Sequence, residues 1–90
     1  MVNGKTQSGF NFKVDEKRMS DMRFLELLSK VDANPLFFPS MVETLLGAEQ
    51  KEKLYDHVEK NGLVAAEDIS AEIEDIFGVI KEQSKEGKNS

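Results

Sequence analysis

Cysteine and tryptophan are absent from these 90 residues, histidine occurs once and proline twice. Without cysteine there is no disulfide framework, thiolate nucleophile, iron–sulfur cluster or cysteine zinc site. The lone imidazole, His57, has no second histidine to complete a transition-metal set around Glu52, Asp56 and Glu59, and no calcium-loop spacing of acids occurs. The six glycines are scattered along the chain, so no phosphate-cradling loop can be built from them. No apolar run approaches the roughly 18 residues that a membrane-spanning helix needs. The first residues carry Lys5 but no apolar stretch of signal-peptide type after it, which sets the expectation of a cytoplasmic protein.

What is present is charge and a moderate store of apolar side chains. Charged residues make up 32% of the chain and the net charge is −5, yet the balance shifts along it. Residues 1–30 carry six basic and four acidic groups, residues 31–60 three and six, and residues 61–90 three and seven. A chain of this sign repels a phosphate backbone, so binding nucleic acid by counterion release is disfavoured. The acidic stretch from Ala65 to Ile80 holds Glu67, Asp68, Glu72, Glu74 and Asp75 without a basic residue, and reads as a solvated helix face. Hydrophobic residues reach 39%, enough for one small core and too many for a wholly disordered chain. A domain of this size buries only about 60–65% of its unfolded surface.

Residues 1–8, rich in Gly, Ser, Asn, Thr and Gln, read as a flexible leader. Phe10, Phe12 and Val14 then alternate with polar residues, the period of a short strand with one buried face. A lone strand cannot stand in water. It must pack on helices, pair with the leader, or pair with another copy of the chain.

Asp15 offers an N-cap to a helix from Lys17 to Val31, which Asp32-Ala33-Asn34-Pro35 ends. A second, short helix begins at Pro39 or Ser40 and carries Met41, Val42, Leu45 and Leu46, with Gly47 as its stop. A polar third helix covers about 48–60. The last, about 66–83, spaces Ile69, Ile73, Ile76 and Ile80 along one face. The expected fold is mainly α within an α+β class. About four short helices pack as one domain over 9–83 with a short N-terminal β-strand, and 84–90 form a flexible polar tail.

The chemistry of an enzyme is missing. His57 has Asp56 beside it and serines elsewhere, but no nucleophile turn or oxyanion-hole motif accompanies them. The acids fall on expected solvent-facing positions, where paired carboxylates do no acid/base work. The sequence therefore reads as a non-enzyme without cofactor or metal. The remaining feature is apolar weight at a connection, where Leu36-Phe37-Phe38 lies between two prolines and Met41 follows. Successive residues cannot all point inward. Phe37, Phe38 and Met41 are thus the expected partner-facing residues, and Phe10 and Phe12 the candidates for self-association through strand pairing.

Several segments together carry a resemblance. They are Ser8-Gly9-Phe10-Asn11-Phe12-Lys13-Val14-Asp15, Asn34-Pro35-Leu36, Leu45 through Lys51, Leu54-Tyr55-Asp56-His57, Glu72-Ile73 with Ile76-Phe77, and the closing Gly87-Lys88-Asn89-Ser90. In order and spacing the chain resembles the small tail assembly chaperones of long-tailed phages and prophages of Gram-positive bacteria. The resemblance implies binding to the tape-measure protein before the tail tube polymerises around it, with the tail tube protein as a further partner. It also implies residence in the host cytoplasm and absence from the mature virion. Two other functions stand beside it: an acidic regulator occupying a basic surface on a nucleic-acid-handling protein, and a structural phage component.

Members of that group pair a short form with a longer form made by programmed frameshift. Gly87-Lys88-Asn89 can be encoded GGA AAA AAC, which contains the slippery heptamer A AAA AAC. Sequencing of the gene is expected to show that heptamer; GGT AAG AAT at these codons would remove this support.

Overall fold

A computed structural model of the chain describes residues 1–88, with side chains through Gln83. Two strands open the fold, β1 (Val2–Lys5) and β2 (Asn11–Val14), paired antiparallel with Val2 opposite Val14 and Gly4 opposite Phe12. A 3-10 turn, Glu16–Ser20, leads into α1 (Met22–Ala33). A second 3-10 turn, Pro35–Phe37, leads into α2 (Phe38–Leu46), followed by α3 (Ala48–Val58) and α4 (Ala66–Lys88). The mainly helical α+β architecture expected from the sequence is the one observed.

β2 pairs with Val2–Lys5, in the segment expected to be a flexible leader. Val2 and Thr6, each 4% exposed, are part of the buried interior. The physical reason is the alternation of the pair. The inner faces of Val2, Phe12 and Val14 close over the helices, and a bare backbone at Gly4 lets α4 come close. A Cβ at Gly4 would lie 2.8 Å from Phe12 Cζ and 2.8 Å from Val79 Cγ1. Low intrinsic strand preference in Val-Asn-Gly-Lys is overridden by this packing.

Both outer edges of the hairpin are occupied by glutamine carboxamides. Gln50 of α3 accepts from Lys13 N at 2.7 Å and donates to Lys13 O at 2.7 Å, as a neighbouring strand would. Gln83 of α4 donates to Asn3 O at 3.0 Å.

The single helix expected over Lys17–Val31 is broken in two. Asp15 caps only the 3-10 turn, accepting from Lys17 N, and Asp21 takes extended dihedrals and caps α1 by accepting from Arg23 N. Two aspartates six residues apart give the chain two helix starts. At the other end Asn34 leaves the helix before Pro35, and its side chain accepts from Leu36 N. Gly47, at φ 85°, separates α2 from α3 in a conformation closed to most side chains. Asn61 and Gly62 both take positive φ in a two-residue turn that brings Lys60 against Leu63. α4 continues to Lys88, past the expected end near Gln83, so the expected flexible tail is helical through Lys88. Of the expected polar tail, Asn89 and Ser90 lie outside the described residues.

The core centres on Phe24, Leu54, Ile76, Val14 and Val42, each less than 2% exposed. Phe24 meets Phe77 edge-on with ring centroids 6.2 Å apart, a favoured aromatic geometry. No described helix is long and apolar enough to cross a membrane.

Gly4→Ala is expected to lower unfolding free energy by about 1–3 kcal/mol, the usual cost of forcing an extra carbon into a packed contact. Urea denaturation of the variant measures it.

Candidate interaction surface

The structure relocates most of the residues expected to meet partners. Met41 is 3% exposed, packed with Val42, Leu45 and Leu46 on the inward face of α2. Phe10 and Phe12, at 6% and 4%, lie in the core of the same chain, so they are not surfaces for a second copy. Their strand finds its partner within the chain, and this removes the reason to seek one outside. Phe38 opens α2 half-buried against the core. Phe37 is half-buried with Lys30 Nζ 5.3 Å above its ring, a cation–π contact worth about 0.5–1 kcal/mol at an exposed site. The outward residue of the Leu36-Phe37-Phe38 run is Leu36, 84% exposed, because the 3-10 turn places consecutive side chains a third of a turn apart.

Apolar surface remains elsewhere. Between the Glu16–Ser20 turn, α1 and α4 an open groove of about 440 Å³ has a floor of Met19, Leu28, Phe77 and Ile80. Glu16 and Lys81 stand at its rims. Helical spacing builds it. Phe77 and Ile80 lie one turn apart on α4, and Leu28 lies at the edge of the inward stripe of α1. The Glu16 carboxylate is held below its usual range, first by a backbone N–H at its own position and then by the Met1 amine 3.1 Å away. It therefore stays ionised further into acid. A larger recess of about 690 Å³ between β1 and α4 is lined chiefly by polar and charged groups, including Lys5, Glu74, Asp75 and Glu82. Its charged groups are of both signs, two lysines and three acids.

A polar cluster that sequence reasoning missed joins the first turn to α4. Glu72, only 6% exposed, accepts from Thr6 Oγ1 at 2.7 Å and from Ser8 Oγ at 2.7 Å. Phe10 N donates to Thr6 Oγ1, and Ser8 Oγ lies 3.0 Å from His57 Nε2. Each hydroxyl has one proton, and both protons point at Glu72. Ser8 Oγ thus bridges the Glu72 carboxylate and the His57 ring, with Thr6 Oγ1 3.2 Å away. Glu72 sits three residues after Ile69 and four before Ile76, on the inward face of α4. That spacing is the signal by which it could have been separated from its solvated neighbours. Among the described residues no cluster of three metal-ligating side chains occurs.

No family model, no curated protein and no solved structure matches this chain.

Glu72→Ala is expected to cost about 2–3 kcal/mol, chiefly because the buried Thr6 hydroxyl is left without its acceptor. Chemical denaturation with an unchanged far-ultraviolet spectrum before the transition checks it.

Proposed function

We propose that this chain is a phage tail assembly chaperone that keeps a tape-measure protein soluble through apolar contacts. The observation that carries the reading is the groove over Met19, Leu28, Phe77 and Ile80, an apolar recess left open on a small acidic helical domain. Leu36 and the half-buried Phe37 add apolar surface at the start of α2. The segment resemblance from Ser8 to the Gly87-Lys88-Asn89-Ser90 end supplies the partner class. A long helical client with repeated apolar stripes offers many equivalent places for such a recess. Many weak contacts along one client raise avidity, while each unit leaves singly as the tube advances. The shared negative charge of the bound units keeps the coated client dispersed. Action in the host cytoplasm and absence from the finished virion belong to this reading.

The competing reading, an acidic helix presented to a basic protein, draws less support. Two of the five acids between Ala65 and Ile80 are already engaged: Glu72 is buried with Thr6 and Ser8, and Asp75 accepts from Gln7 N at 3.1 Å.

Co-expression with a phage tape-measure protein is the test. The wild-type chain is expected to bring the client into the soluble fraction, and the complex to hold as salt rises from about 0.1 to 1 M. M19D/F37S is expected to lose co-solubilisation while its helix content by circular dichroism is retained. A client that stays insoluble, an unaffected variant, or steep release by salt would each overturn the reading.

A further inference from the structure

Asparagine followed by glycine occurs twice, at Asn3-Gly4 and Asn61-Gly62. Such a pair is chemically reactive, because a glycine amide nitrogen, unscreened by a Cβ, can reach the side-chain carbonyl before it. The fold gives these two identical dipeptides opposite surroundings. Asn3-Gly4 lies in β1, and Thr6 N donates to Phe10 O at 2.9 Å in the same register. Hydrogen-bonded pairs alternate along an antiparallel ladder, so Gly4, opposite Phe12, has its N–H committed to β2. The Asn3 carbonyl faces the other way, toward Gln83. Gly4 is also packed so closely that a Cβ would clash with Phe12 and Val79. Gly62 sits instead in the exposed turn between α3 and α4, at φ 81° after Asn61 at φ 54°. Two hydrogen bonds close that turn, Lys60 N to Leu63 O at 2.8 Å and Leu63 N to Lys60 O at 3.0 Å. Among the described residues neither the Gly62 N–H nor the Asn61 carboxamide has a hydrogen-bond partner. Nothing lies within 4 Å of a Cβ placed on Gly62.

We propose that Asn61 is a site of spontaneous covalent modification, deamidation through a cyclic imide, and that the fold protects Asn3 from the same reaction. Gly62 N gives its proton to solvent base and attacks Asn61 Cγ. A C–N bond forms, the bond from Cγ to Nδ2 breaks, and ammonia leaves. Water then opens the five-membered imide at either carbonyl. One opening yields aspartate; the other yields isoaspartate, whose backbone runs through the β-carboxyl and is one carbon longer. No oxidant and no cofactor enters. Two other asparagines are poorly placed for it. Pro35 after Asn34 has no N–H to attack with, and Phe12 after Asn11 is bulky and pairs with Gly4 in the ladder. The consequence falls on the joint between α3, which supplies Gln50 and His57, and α4, which supplies Glu72 and Gln83. One extra backbone carbon breaks the two-residue spacing on which both Lys60–Leu63 hydrogen bonds depend. The isoaspartyl form therefore loosens the joint, and either product adds a negative charge to a chain already at −5. The proposal does not rest on the chaperone reading.

Incubation of the full chain in warm, mildly alkaline buffer, followed by peptide mass spectrometry, tests it. Asn61 is expected to gain one water and lose one ammonia, giving two isomeric peptides that separate on chromatography. Its conversion is expected to run about tenfold or more faster than that of Asn3, whose reaction must wait for β1 to open. In concentrated urea the two sites are expected to convert at similar rates, since each is then only Asn-Gly in an open chain. Amide hydrogen exchange reads the consequence. In the purified isoaspartyl form the Lys60 and Leu63 amides are expected to exchange about tenfold or more faster than in the starting chain. N61D carries the added charge without the longer backbone, and Asp tolerates positive φ, so these two amides are expected to keep their protection. Folded-state conversion of Asn61 no faster than that of Asn3 would overturn the proposal. So would a rate difference that persists in urea, unchanged exchange in the isoaspartyl form, or equal loss of protection in N61D.

Discussion

Glu72 ties the last helix to the first turn, and the packing of the molecule depends on that tie. Thr6 and Glu72 are 66 residues apart in sequence and 2.7 Å apart in space. Around this contact the hairpin folds down over the helices and seals Val2, Phe10, Phe12 and Val14 into the same interior as Ile69, Ile73 and Ile76. A carboxylate held this deeply is tolerated because its two oxygens receive two hydroxyl protons; the desolvation cost is offset only while both donors stay in place. The first and last elements of the chain are thus mutually dependent.

How much was legible in advance follows from where each signal resides. Isoleucines at helical spacing announced α4, and Gly47 and Asn34-Pro35 marked boundaries that the structure keeps. These are local signals, written within a turn or two of the residues that obey them. What escaped is non-local. Val2–Lys5 has weak intrinsic strand preference and becomes a strand because β2 and α4 are waiting for it. Glu72 sits among four other acids of the same stretch and differs from them only by its angle on the helix. The break at Asp21 was hidden because Asp15, six residues earlier, already offered a valid start.

The same contrast applies to the surface. Counting apolar residues showed that some must be left outside, and some are: Met22, Leu25, Leu36 and Leu63 are exposed. Composition could not say which, because the choice depends on backbone direction. One 3-10 turn sends Leu36 outward and holds Phe37 and Phe38 partly inward, and one helix register sends Met41 into the core. The groove at Met19, Leu28, Phe77 and Ile80 joins the Glu16–Ser20 turn and α1 to the distant α4, so no window of sequence contains it.

The two carboxamides at the hairpin edges carry a last consequence. An open strand edge is a template on which further chains can stack into cross-β fibrils. Here Gln50 takes up both peptide groups of Lys13, and Gln83 the carbonyl of Asn3. Side chains borrowed from helices stand where a third and fourth strand would grow. The sheet ends at two strands, and a molecule rich in exposed aliphatic side chains is guarded against the polymer that its own strands would otherwise seed.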